Sequence, residues 1–243
     1  MSAVLQPQQP PVAMAAPIYH HQVAQGTKEW LDLRTGLITA SEMKLLMTPT
    51  LKPVNNDKSR THLYELAAQR ISQYTEPCYI GEDMMRGWSD EVLARQAYAE
   101  NCAPVEECGF VTRLVEGCTL GYSPDALVGN DGLIECKSRR QKYQIRTICD
   151  AIVPEEYMLQ IQTGLLVTGR NWLDFVSYCG GLPMVVLRVY PDQKMQGAII
   201  ETIQRAEDEV SALIHSYDST LAKHPTWPTT ERIIEKEMPS WAN

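Results

Sequence analysis

Ser123-Pro124-Asp125-Ala126-Leu127-Val128-Gly129-Asn130-Asp131-Gly132-Leu133-Ile134-Glu135-Cys136-Lys137 is the stretch that decides how this chain is read. It sets one carboxylate, Asp125, at a Ser-Pro turn. A second, Glu135, follows in an apolar run just past the tight-turn signal of residues 129–132. Residues i and i+2 of an extended strand share a face. Glu135 and Lys137 are therefore expected to project together with Leu133, while Ile134 and Cys136 face the core. An acid and a base in a strand that leans toward burial need a partner or something to coordinate.

Working outward, the periodicity around this stretch is that of a sheet. Residues 110–115, 119–122 and 133–138 predict three strands. Residues 172–178 and 184–190 predict two more, broken by Gly180-Gly181-Leu182-Pro183. Helical patterns flank them: a short amphipathic helix at 28–34, a second capped by a Thr or Ser before Glu42, and one carrying Leu63, Leu66, Ala67 and Ile71. Further helices are expected over 85–100, starting near Ser89, over 155–168 and over 192–222. Residues 48–57 read as a loop. The uncharged Pro/Gln/Ala-rich residues 1–17 read as a disordered leader and 223–243 as a Pro-rich tail, leaving 18–222 as a single domain. This order of elements predicts an α/β (α+β) fold.

Composition limits the function classes. With 44% hydrophobic and 21% charged residues, the chain has the make-up of an ordinary soluble protein. No apolar run is long enough to span a membrane, and the N-terminus has no secretory h-region. The 7 cysteines follow no zinc or disulfide spacing and read as reduced thiols of a cytoplasmic protein. A net charge of −8 argues against a generally basic nucleic-acid-coating surface. Lys137, Arg139, Arg140, Lys142 and Arg146 nevertheless concentrate beside the key strand, either as a local positive groove or as a solvated turn.

Asp125 and Glu135, with the main-chain carbonyl of Cys136 between Glu135 and Lys137, are candidate ligands for Mg²⁺, a hard cation that takes carboxylate and carbonyl oxygens. Lys137 is the candidate group to orient or deprotonate a water and to offset developing charge. That is the Asp…Glu-x-Lys arrangement of a metal-dependent nuclease. The alternative is a surface hairpin with an incidental Glu/Lys pair. Upstream, Glu91 is a further candidate acid, although a carboxylate in a first helical turn is also favoured by the helix dipole.

Four motifs together carry a resemblance: Leu33-Arg34-Thr35-Gly36-Leu37-Ile38-Thr39-Ala40-Ser41-Glu42, Gly87-x-x-x-Glu91-x-x-Ala94-Arg95, the opening stretch, and Tyr157-Met158-Leu159-Gln160-Ile161-Gln162. In order and spacing they resemble the phage lambda exonuclease family, the YqaJ-type viral recombinase nucleases of the PD-(D/E)xK superfamily. The resemblance covers about residues 24–190. It implies a restriction-endonuclease-like core, a central mixed sheet flanked by helices.

By position, the resemblance makes Asp125 and Glu135 magnesium ligands, Lys137 the catalytic lysine, and Glu91 the helix-borne acid for a second ion. Mn²⁺ is a possible substitute. Arg34, Ser41, Ser123 and Gln160 match a 5′-phosphate pocket, chemistry suited to a guanidinium fork and hydroxyls. Read without the resemblance, Arg34 is a helix-surface charge, Ser41 a cap and Gln160 a helix edge. Met84 matches an apolar wedge at the DNA end, or is core. The implied activity is 5′→3′ degradation of one strand of linear double-stranded DNA, leaving 3′ overhangs. A homotrimeric ring, a single-strand annealing recombinase as partner, no membrane, and phage or prophage coding in a bacterial cytoplasm are also implied. The alternatives are another nuclease of the superfamily, an endonuclease or one of different polarity, and a non-catalytic DNA-end-binding module.

Overall fold

A computed structural model describes residues 14–77 and 81–232. The chain runs β1 (Ile18–His20), α1 (Lys28–Arg34), β2 (Ile38–Thr39), a 3-10 turn (Ala40–Glu42), α2 (Met43–Leu46), α3 (Asp57–Ser72) and α4 (Glu82–Asn101). The central strands β3 (Phe110–Val115), β4 (Cys118–Tyr122), β5 (Ala126–Val128) and β6 (Gly132–Ser138) follow. The chain then forms α5 (Gln141–Asp150), α6 (Met158–Thr168), β7 (Trp172–Tyr178), β8 (Val185–Val189) and α7 (Gln193–Lys223).

The single central mixed sheet expected from sequence resolves into two mixed sheets of four strands, ordered β1-β3-β4-β2 and β5-β6-β7-β8. Residues 123–125 cross from one to the other. β6 is an interior strand, antiparallel to β5 (Ala126 opposite Ile134) and parallel to β7 (Glu135 opposite Phe175, Lys137 opposite Ser177). Because β5 begins at Ala126, it leaves the edge of β6 from Glu135 onward to other groups.

Both faces of β6 are covered, which corrects the expectation of one core face. Leu133 lies in the larger core with Leu159, Ile161, Leu165, Leu173 and Phe175. Ile134 and Cys136 lie in a second core with Ala94, Tyr98 and Val176. Glu135 itself is only 2% exposed.

Helix α7 presents Ile199, Ile203, Ala206 and Val210 at 3- and 4-residue spacing to the larger core; each fully buried Ile or Val contributes roughly 1.5–3 kcal/mol. Its Glu207 receives both Nη atoms of Arg70 on α3, at 2.6 and 2.7 Å. Helix α6 carries Gly164 against Tyr122, and a Cβ at that glycine would lie 2.8 Å from the tyrosine ring.

Further expectations are adjusted. Helix α4 starts at Glu82 with Gly81 as N-cap, well before Ser89; its first turns are mostly exposed, so no buried periodicity marked them. β1, β2, β5 and α5 were not anticipated. Residues 14–17 of the expected leader are tied down: Ala15 N donates to Leu114 O (2.9 Å), and Arg113 Nε to Ala15 O (2.8 Å). Residues 1–13 of that leader, and 233–243 of the expected tail, lie outside the described residues. Among the described residues no helix is long and apolar enough to cross a membrane.

Candidate active site

The crossing at 123–125 and the edge of β6 that β5 leaves unpaired bring the sequence-predicted acids together. Glu135 is held by three donors. Its Oε1 accepts from Lys137 Nζ (2.6 Å) and Gln160 Nε2 (2.5 Å), and its Oε2 from Tyr122 Oη (2.6 Å). Asp125 Oδ2 accepts from the backbone N–H of Cys136 at 2.5 Å. A strand residue's N–H and C=O leave by the same edge, so the Cys136 carbonyl also faces the Asp125 edge. Glu91, on α4, accepts from Arg95 Nη1 (3.3 Å), which also donates to the main-chain oxygen of Asp125 (3.2 Å).

The electrostatics follow from crowding. Burial, reinforced by Glu135 and Glu91, pushes the Asp125 carboxyl well above the usual carboxylate range. Burial also raises Glu91, with Arg95 opposing and Glu135 adding to the rise. For Lys137, burial lowers the ammonium, but Glu135 and Asp125 outweigh it and the net shift is upward. Tyr122 is driven well up by burial and then by both acids, so it stays a donor. A cluster of acids that repel one another in a dry site gains from a cation.

A cleft of about 200 Å³ is lined by Arg34, Ser41, Ser123, Asp125, Glu135, Lys137 and Gln160. This brings together every residue predicted for the phosphate pocket with three of the four predicted catalytic groups. Arg34 ends α1, with its guanidinium 4.4 Å from the centre of the Trp30 ring and its Nη2 3.4 Å from Thr39 Oγ1. Burial lowers its pKa, and it forms no ion pair among the described residues. Ser41 sits in the 3-10 turn capped by Thr39 and Glu42. Ser123 Oγ accepts from Trp30 Nε1 at 2.9 Å.

Glu91 joins Asp125 on the wall of an adjoining hollow of about 700 Å³, with Trp30 and Trp88. Met84 is 40% exposed near the start of α4 and lines neither wall, so it is not core. Sequence reasoning missed Tyr122, Trp30 and Thr39. Trp30 precedes Arg34 by one helical turn and Tyr122 abuts the Ser-Pro-Asp turn, spacings that could have flagged both.

Among the described residues no group of three His, Cys, Asp or Glu side chains closes around a point. Mg²⁺ needs only one or two carboxylates with carbonyl and water oxygens. Asp125, Glu135 and the Cys136 carbonyl edge meet that requirement.

Residues 29–171 match the YqaJ-like viral recombinase domain. Two structures of an alkaline exonuclease (LHK-Exo) from Laribacter hongkongensis, one in complex with dAMP, are similar to the chain at 32% identity. Each comparison covers 82% of this chain and 100% of the relative, with a TM-score of 0.71. A phage-related exonuclease from Haemophilus somnus 129PT shares the fold at 13% identity, with a TM-score of 0.52 over 74% of this chain and 96% of its own. No curated protein matches the sequence at a significant level. With residues 29–171 matched by the family model and 82% of its length shared with LHK-Exo at 32% identity, the chain belongs to the YqaJ-like viral recombinase family and is a nuclease.

Proposed function

We propose that the protein is a magnesium-dependent 5′→3′ exonuclease that degrades one strand of linear double-stranded DNA and leaves 3′ overhangs for phage-type recombination. One observation carries this reading. The half-buried guanidinium of Arg34, without an ion pair among the described residues, shares one small cleft with Asp125, Glu135 and Lys137. A buried cation of this kind favours an anion, and a terminal phosphate held by Arg34, Ser41, Ser123 and Gln160 would set the first phosphodiester against the acids.

Asp125, Glu135 and the Cys136 carbonyl would hold one Mg²⁺, and Glu91 with Asp125 would serve a second, with Mn²⁺ as substitute. Bound there, the metal supplies charge neutralisation at the phosphate and a more acidic water. Lys137, kept as an ammonium by Glu135 and Asp125, offsets charge that develops on the phosphate. Gln160 and Tyr122 fix the orientation of Glu135. Met84, exposed on α4, is assigned to the DNA end as an apolar wedge. The nuclease unit spans 18–222; a ring-shaped homotrimer, a single-strand annealing recombinase partner and a location in the bacterial host cytoplasm complete the reading.

The test is product analysis on end-labelled linear duplex with Mg²⁺. Mononucleotides from the 5′ end, a preference for 5′-phosphate ends, and intact closed circles are expected. Cutting of closed circles, or label released first from the 3′ end, would sink it.

A further inference from the structure

The chain carries a net charge of −8, yet one hollow of about 660 Å³ runs against that balance. Arg86, Arg139, Arg140 and Lys142 line it, with Asp90 as its one acid. Asp90 is already engaged: Ser138 Oγ donates to its Oδ2 at 2.5 Å, and Arg86 Nε stands 4.0 Å from the same atom. Lys142 has no ion pair among the described residues and rests on the Tyr143 ring, 4.9 Å from its centre. An aromatic face orients a cation without cancelling its charge.

A second observation concerns Arg139, which is 9% exposed and lies between the rings of Tyr143 (5.2 Å) and Tyr157 (5.3 Å). Its Nη1 donates to Glu156 and Tyr157, but its Nε is one of two buried side-chain polar atoms without a partner among the described residues. A buried N–H without an acceptor is rare enough to require a reason.

The position of the hollow matters as much as its charge. Ser138, Arg139 and Arg140 continue directly from Lys137, and Arg139 N still donates to Tyr178 O (2.7 Å), extending the β6–β7 ladder. Two strand residues span roughly 7 Å, so the hollow begins within about one nucleotide of the catalytic lysine. Asp90 is also the neighbour of Glu91 on α4.

We infer that this hollow is a second phosphate subsite, which takes a backbone phosphodiester of a DNA strand beside the bond being cut. The inference rests on the exonuclease reading and adds a holding point that the four-residue 5′-phosphate pocket does not supply. The phosphodiester belongs either to the strand under digestion or to the one left behind, and a binding experiment separates these sources.

The test compares the full chain with the double variant Arg140→Ala/Lys142→Ala by fluorescence anisotropy in EDTA. The probes are labelled oligo-dT, blunt duplex and 3′-tailed duplex. The expected result is about 10-fold weaker binding of at least one DNA. The slope of log K against log salt should fall by about 1.4, the value for two lost phosphate contacts on a single strand. The charge-keeping variant Arg140→Lys/Lys142→Arg should restore both. A deficit confined to the tailed duplex assigns the subsite to the retained strand, and one seen equally on blunt duplex assigns it to the strand being cut. Unchanged affinity and slope, or a loss that the charge-keeping variant fails to recover, overturns the inference. A parent protein that leaves all linear DNA intact with Mg²⁺ would instead refute the exonuclease reading, and the binding comparison would still decide the subsite.

Discussion

The two walls of the active cleft are built on different terms. On the β6 wall, both oxygens of Glu135 are taken by donors within 2.6 Å, and Asp125 is fixed by the backbone of the same strand. On the α1 wall, Arg34 makes one hydrogen bond of 3.4 Å and otherwise leans on the Trp30 ring. The first wall holds Glu135 in one orientation and leaves Asp125 Oδ1 without a hydrogen bond among the described residues; the second keeps most of the five guanidinium donors for an incoming anion. In the proposed reading, the contrast gives chemistry to the strand and recognition to the helix.

That division can be broken. Its strongest trial is Lys137→Ala, which should lower kcat by about 10³-fold while end binding in an anisotropy assay stays within a few-fold. An active variant would strip the β6 wall of its role.

Asp125→Asn comes next. At saturating Mg²⁺ the parent should melt roughly 5–10 °C higher than in EDTA, and the variant should show no such rise. The pH dependence sharpens the same point. A carboxyl whose folded pKa is raised keeps its proton where the unfolded chain has lost it. Its contribution to stability is full below the unfolded value and disappears as pH rises through the folded one. The metal-free melting temperature should therefore fall as pH climbs above about 4, and Asp125→Asn should flatten that fall.

On the α1 wall, Arg34→Ala should reduce the preference for 5′-phosphate over 5′-hydroxyl ends by about 10- to 100-fold, since hydrogen bonds to charged groups contribute about 1.5–3 kcal/mol. Turnover at saturating DNA should change little; an unaltered preference would remove Arg34 from the pocket. The smallest effect is expected from Tyr122→Phe, about 1–2 kcal/mol of stability from one unsatisfied carboxylate oxygen, read by denaturant unfolding.

The same contrast explains what was legible in the sequence. Glu135 and Lys137 could be read because strand period 2 and the 129–132 turn are local signals. The crossing that carries Asp125 into their neighbourhood also announces itself by Ser-Pro. β5 escaped notice because its three residues are all buried and show no alternation. Helix α5 escaped for the opposite reason. It is buried through Gln144 and Thr147 rather than apolar side chains, with Gln144 bonded to the Ser177 and Pro183 carbonyls and the Ser177 hydroxyl. The other two donors to Glu135 come from outside its strand, and only the folded chain brings Tyr122 and Gln160 to Glu135 or Trp30 to Ser123.

One missing methyl group sets the dimensions of the acid cluster. Gly164 lets α6 approach until its backbone meets the Tyr122 ring, and a Cβ there would intrude to 2.8 Å. Tyr122 and Gln160 both hold Glu135, one from the strand and one from that same helix. The glycine is thus a spacer in a three-part gauge: widen the gap between helix and sheet, and the two donors can no longer grip the same carboxylate. A residue with no side chain and no chemistry of its own fixes the tolerance to which the acid site is made.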